Sequence, residues 1–82
     1  MVNSSFHPDF KKTFSKIRDK GLKERIIKLF EKTRDNPEVG KPMRHKRKGI
    51  REVYAPPFRL SYAYLKEEDK IVFLDLYHKD EQ

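Results

Sequence analysis

At Asp35-Asn36-Pro37 the spacing of the apolar residues changes period, and that switch limits this chain to very few architectures. Before it, Phe10, Phe14 and Ile17 recur at i, i+4 and i+7. Leu22, Ile26, Leu29, Phe30 and Thr33 then line a second stripe. Both stripes have the 3.6-residue period of an amphipathic helix. After a loop spanning residues 37–48, apolar and polar residues alternate with the period of two that a half-buried strand requires. Helical period first and strand period second means α+β, with the helices stacked on one sheet.

The punctuation predicts the boundaries. Val2–Phe6 reads as a short first strand. His7-Pro8-Asp9 reads as a helix start, with His7 as a cap, Pro8 at a position that needs no donor and Asp9 at the positive end of the helix dipole. The first helix is expected over residues 8–19, ended by Gly21 in a left-handed conformation. A second helix follows almost at once and stops near residue 35, so the two form an αα-hairpin. Strands are expected at Ile50–Tyr54, Phe58–Leu65 and Ile71–Tyr77. Pro56-Pro57 forces the first turn between them, and the polar Lys66–Lys70 stretch forms the second. Such short connections make the three strands an antiparallel meander. The expected core is Phe10, Phe14, Ile26, Leu29, Phe30, Leu60, Val72, Leu74 and Leu76. One helical layer leaves the opposite face of the sheet open.

Eighty-two residues suffice for one domain, 1–82, with a small core. There is no cysteine, hence no disulfide and no thiolate metal site, and His7, His45 and His78 are too scattered to suggest a metal centre. No apolar run approaches a membrane span and the N-terminus lacks a signal-peptide pattern, so a cytoplasmic protein without membrane association is expected.

Charge carries the functional signal. The formal net charge is +7, and between Lys41 and Arg51 stand six cations (Lys41, Arg44, Lys46, Arg47, Lys48 and Arg51) with no carboxylate. A cluster of this kind repels itself unless an anion lies near, and a phosphate backbone or an acidic protein would supply one. A run of charge is more commonly a solvated loop. Here Lys41, Arg44, His45, Lys46, Arg47 and Lys48 are candidate contacts to an RNA backbone. Tyr54, Tyr62, Tyr64 and Tyr77 could stack on bases, although strand aromatics more often fill a core, and at least half are expected to do so.

These pieces, the helix pair, GKPMRHKRKGIREVY, FRLSYAY and IVFLDLYH, resemble in order and spacing the RelE/ParE superfamily of toxins from type II toxin–antitoxin systems. The likeness runs over nearly the whole chain. It implies the RelE-like fold and a metal-independent endoribonuclease that needs no cofactor. Such an enzyme cuts mRNA in the ribosomal A site by attack of the 2′-hydroxyl on the adjacent phosphate, which inhibits translation. The implied partners are the ribosome, A-site mRNA and a cognate RelB-like antitoxin that neutralises the toxin. The ParE branch shares the fold but poisons DNA gyrase, and a member that had lost catalysis would persist as an antitoxin-binding module.

The resemblance also distributes candidate roles. Arg59 stands at the Arg of an aromatic-Arg-hydrophobic motif and would clamp phosphate bidentately; as a plain strand arginine it would pair with Glu52 or Asp75. Arg51, expected as a cross-strand neighbour of Arg59, would add to the positive field or bind substrate. His78 follows the last strand, where a general acid is often placed, and imidazole ordinarily titrates near neutrality; a tail histidine without a role is the alternative. Lys79 is a second phosphate contact or a solubilising charge. Glu52 is a candidate base, or orients Arg51 or Arg59. The first strand of the meander carries one Arg and one Glu where the best-known members carry a lysine pair, so the base is left open.

Overall fold

The computed structural model describes residues 3–42 and 49–78. In chain order it contains β1 (Asn3–Phe6), α1 (Pro8–Lys16), α2 (Lys20–Asp35), β2 (Lys41–Pro42), β3 (Ile50–Ala55) and β4 (Phe58–Leu65). A 3₁₀ turn at Lys66–Glu68 then leads into β5 (Lys70–His78). The architecture is the expected α+β. All five strands form one sheet in the order β1-β5-β4-β3-β2. β3, β4 and β5 are the antiparallel meander, and β1 adds to β5 in parallel, Asn3 opposite Lys70 through Phe6 opposite Phe73.

The helix boundaries differ from the sequence reading for a local reason. His7 caps α1 by accepting the Asp9 N–H at its Nδ1 (3.1 Å). The helix closes at Lys16, and Ile17 turns extended and packs into the core. Asp19 then caps α2, its carboxylate accepting the Leu22 N–H at 3.1 Å. An aspartate at this position satisfies an otherwise orphaned amide, so Gly21 lies in the first turn of α2 rather than ending α1. Lys41–Pro42, read as loop, is a short strand paired with Glu52 and Arg51.

The core lies between the helices and one face of the sheet. α1 rests on β5 and α2 reaches β3. Phe10, Leu22 and Ile26 from the helices, with Ile17 from the link between them, meet Leu60, Tyr62, Ile71, Phe73 and Leu76 from the strands. At its centre is an aromatic cluster. Phe30 lies 4.8 Å from Phe73 and 5.2 Å from Phe6, ring centre to ring centre, and Phe10 lies 5.5 Å from Phe30. Each such contact contributes about 1 kcal/mol beyond the area it buries.

On β5, of the expected core residues Val72, Leu74 and Leu76, only Leu76 is fully buried, and the other two are corrected. Ile71, Phe73 and Leu76 are the fully buried residues, with Val72 and Leu74 only partly covered. The register explains it: Tyr62 pairs with Phe73 while Ser61 pairs with Asp75, leaving Leu74 as an extra residue in a bulge. A bulge shifts the alternation by one position, so odd residues face inward before it and an even one after it.

Candidate functional site on the open face of the sheet

Side chains on directly opposed strand residues share a face, and successive residues alternate between faces. Leu60 and Tyr62 are buried under the helices, so Arg59, one residue before Leu60, points to the uncovered face. Its opposed residues, Tyr54 on β3 and Tyr77 on β5, point the same way, as does Glu52, which opposes Ser61. Four functional groups from three strands therefore meet on the open face.

Their contacts form one connected cluster. Arg59 Nη1 donates to Glu52 Oε1 at 3.3 Å, an ion pair whose side chains are 33% and 20% exposed. The Tyr77 hydroxyl donates to the other carboxylate oxygen, Oε2. The Arg59 guanidinium sits 5.9 Å from the centre of the Tyr54 ring, within cation–π range. Tyr54 is half exposed, and the cluster is open to solvent on that side. Arg59 thus makes the pairing with Glu52 that its position in a strand allows, and remains accessible to a second anion.

Arg51 is not a neighbour of Arg59. It opposes Tyr62 and so faces the helical side, where its Nη1 donates to the carbonyls of Gly40 (2.7 Å) and Glu38 (3.1 Å). It anchors the segment leading into β2. His78 opposes Phe58 and packs against that ring edge-on, 5.5 Å between centres, again on the face away from Arg59. Register therefore brings Glu52 and Arg59 together and holds Arg51 and His78 apart from them. Lys41 opposes Glu52 at the sheet margin. Arg44, His45, Lys46, Arg47, Lys48 and Lys79 lie outside the described residues.

The segment ahead of β2 is fastened by a second polar group. The buried Tyr62 hydroxyl donates to the Pro37 carbonyl at 2.7 Å and accepts the Gly40 N–H at 3.0 Å. Burial raises the Tyr62 pKa above its ordinary value of 10.0, with nearby Glu38 adding to the rise. The Gly40 amide and the Arg51 charge oppose it.

A cleft of about 520 Å³ adjoins the cluster, beside the part of β3 that short β2 leaves uncovered. Leu29, Val39 and Val53 supply apolar walls, Lys32, Lys41 and Arg59 supply positive charge, and Tyr54 and Glu52 complete the lining. Lys32 was not singled out by sequence reasoning, because its position on α2 marks it only as polar-face. Tyr77 was read as a stacking or core residue; its link to Glu52 depends on a register that the bulge sets. Among the described residues, no three His, Cys, Asp or Glu side chains come together as a metal site, and no helix is long and apolar enough to cross a membrane.

The fold has close counterparts among solved structures. A chain of the intact E. coli RelBE toxin–antitoxin complex aligns with a TM-score of 0.83 at 15% identity, over 95% of this chain and 96% of that one. The toxin–antitoxin complex RelBE2 from Mycobacterium tuberculosis gives 0.80 at 22% identity, covering 94% and 96%. The archaeal RelE–RelB complex from Pyrococcus horikoshii OT3 gives 0.80 at 14%, covering 99% and 98%. No curated protein sequence matches the chain. The fold is thus that of the RelE/ParE superfamily of toxins. A family model, the ParE toxin of the type II toxin–antitoxin system parDE, matches residues 5–82, and the chain belongs to that family.

Proposed function

We propose that this toxin is a ribosome-dependent mRNA endoribonuclease whose working face is the open side of the sheet. The observation that carries the reading is the meeting of Arg59, Glu52 and Tyr77 there from three strands. A phosphate entering beside Arg59 competes with Glu52 for the guanidinium, whose fork suits two phosphate oxygens. Glu52, released from Arg59, accepts the proton of the 2′-hydroxyl. The 2′-oxygen bonds to phosphorus, the bond to the 5′-oxygen breaks, and that oxygen takes a proton from water. The products are a cyclic phosphate and a 5′-hydroxyl, and Arg59 stabilises the charge that develops between them. A cognate RelB-like antitoxin would neutralise the toxin, in keeping with the RelBE complexes whose fold it shares. Primer extension on mRNA translated by purified ribosomes tests the reading. Codon-phased cuts are expected with wild type and should disappear in Arg59→Ala.

A second reading has its own support. The matched family is the ParE branch, and Arg51 and His78 lie on the other face of the sheet from Arg59. A gyrase inhibitor needs no acid–base pair. If folded protein gives no codon-phased cuts yet blocks supercoiling by gyrase, that reading replaces the first.

A further inference from the structure

We propose that the cleft between α2 and the uncovered margin of β3 is a subsite for one nucleotide of a single-stranded RNA, holding both its base and its phosphate. The inference rests on the ribonuclease reading and adds residues to it. Three features of the cleft fit a nucleotide better than a bare anion.

The first is an available aromatic face. Tyr62 is buried and Tyr64 packs against the core. Tyr77 is engaged with Glu52. Tyr54, by contrast, is 50% exposed and lines the cleft. Bases stack on such rings with little sequence preference, since every base has a π-face. The second is the apolar wall of Leu29, Val53 and Val39, against which the face of a base turned away from Tyr54 would remove apolar surface from water. The third is charge from three separate elements. Lys32 on α2, Lys41 on β2 and Arg59 on β4 all line the cleft, against the single carboxylate of Glu52. Among the described residues, neither Lys32 nor Lys41 has an ion-pair partner.

The volume of about 520 Å³ lies within the roughly 300–1,000 Å³ common for small-ligand sites. A duplex hides its bases in the stack, so an unstacked base of a single strand is the form that enters. Arg59 is shared between cleft and cluster, so the phosphate held in the subsite is the scissile one or its immediate neighbour. Lys32 would make α2 a wall of the RNA path as well as a support of the sheet.

The test is binding of a short fluorescein-labelled oligoadenylate to the full chain, read by anisotropy across a salt series without ribosomes. Wild type is compared with Tyr54→Ala, Tyr54→Phe and Lys32→Gln, each shown folded by circular dichroism. Tyr54→Ala should weaken binding roughly ten-fold and Tyr54→Phe should retain it. Lys32→Gln should weaken binding and lower the salt slope by about 0.7. Unchanged binding by both Tyr54→Ala and Lys32→Gln overturns the subsite. Weakening by Lys32→Gln alone shows an anion site without base recognition and also overturns it, as does equal displacement by polyglutamate in wild type and Tyr54→Ala. Tyr54-dependent binding with no codon-phased cutting would leave the subsite standing and overturn the ribonuclease reading instead.

Discussion

Tyr62 and Gly40 fit each other twice over: the Gly40 N–H donates to the Tyr62 hydroxyl at 3.0 Å, and the same ring occupies the space a Gly40 side chain would need. A Cβ built at Gly40 would stand 2.8 Å from the Tyr62 oxygen, and 2.9 Å from both Tyr62 Cε1 and the Glu52 carbonyl. Gly40→Ala must therefore displace a buried ring or a strand. A loss of roughly 1–3 kcal/mol is expected, measured by urea denaturation. The segment leading into β2 would shift with it.

Tyr62→Phe should cost about 1–3 kcal/mol, because it leaves the Pro37 carbonyl and the Gly40 amide without the hydroxyl that satisfies both. It should also change the pH dependence of stability. The folded chain holds the Tyr62 proton above the pH at which the unfolded chain releases it. Stability is therefore complete below about pH 10 and falls as pH rises through the raised value. Thermal melts between neutral pH and pH 11 should show this alkaline decline in wild type and a shallower one in Tyr62→Phe.

Phe73 sits before the β5 bulge with its ring against Phe6, Phe10 and Phe30. Phe73→Ala should cost about 3–5 kcal/mol. Leu74→Ala should cost clearly less, since Leu74 is the unpaired residue and only partly covered. Equal losses at the two positions would mean that the alternation continues unshifted through β5.

In the ribosome assay, Arg59→Ala should lower cutting by roughly 10²–10³-fold, with Arg59→Lys between it and wild type because a point charge replaces a planar fork. Glu52→Gln keeps the size of the side chain and removes its ability to take a proton. It should reduce cutting strongly while binding oligoadenylate at least as well as wild type, since Arg59 then loses a competing anion.

His78→Ala should leave cutting within a few-fold of wild type, because its ring lies against Phe58 on the far face of the sheet from Arg59. A loss as deep as that of Arg59→Ala would require the end of β5 to rearrange on the ribosome.

Element type was legible because it depends on short-range spacing: the stripes of α1 and α2 and the alternation in β3 and β4 survive into the structure. The Tyr54–Arg59 pair was legible in principle too. A turn centred on Pro56-Pro57 sets Ala55 opposite Phe58, and Tyr54 opposite Arg59 follows. What spacing cannot give is a phase that changes within a strand. The extra residue at Leu74 moved Phe73 inward and Leu74 outward. It also fixed Tyr77, rather than His78, on the side of Arg59. Arg51 lies apart from Arg59 for a simpler reason. One residue of offset from Glu52 turns a side chain to the opposite face, and carbonyls of a distant loop were waiting there.

The parallel seam between β1 and β5 has a consequence for how the molecule comes into being. β1 is the first strand in the chain and bonds only to β5, which follows every other strand. During translation Phe6 therefore leaves the ribosome long before Phe73, the residue it pairs with, exists. The sheet closes only after β5 has been made, and pairings of such large sequence separation form slowly. Tyr77, needed to complete the Arg59–Glu52 cluster, is itself on β5. A nascent chain therefore closes its sheet, and joins Tyr77 to Glu52 and Arg59, only once β5 has been synthesised.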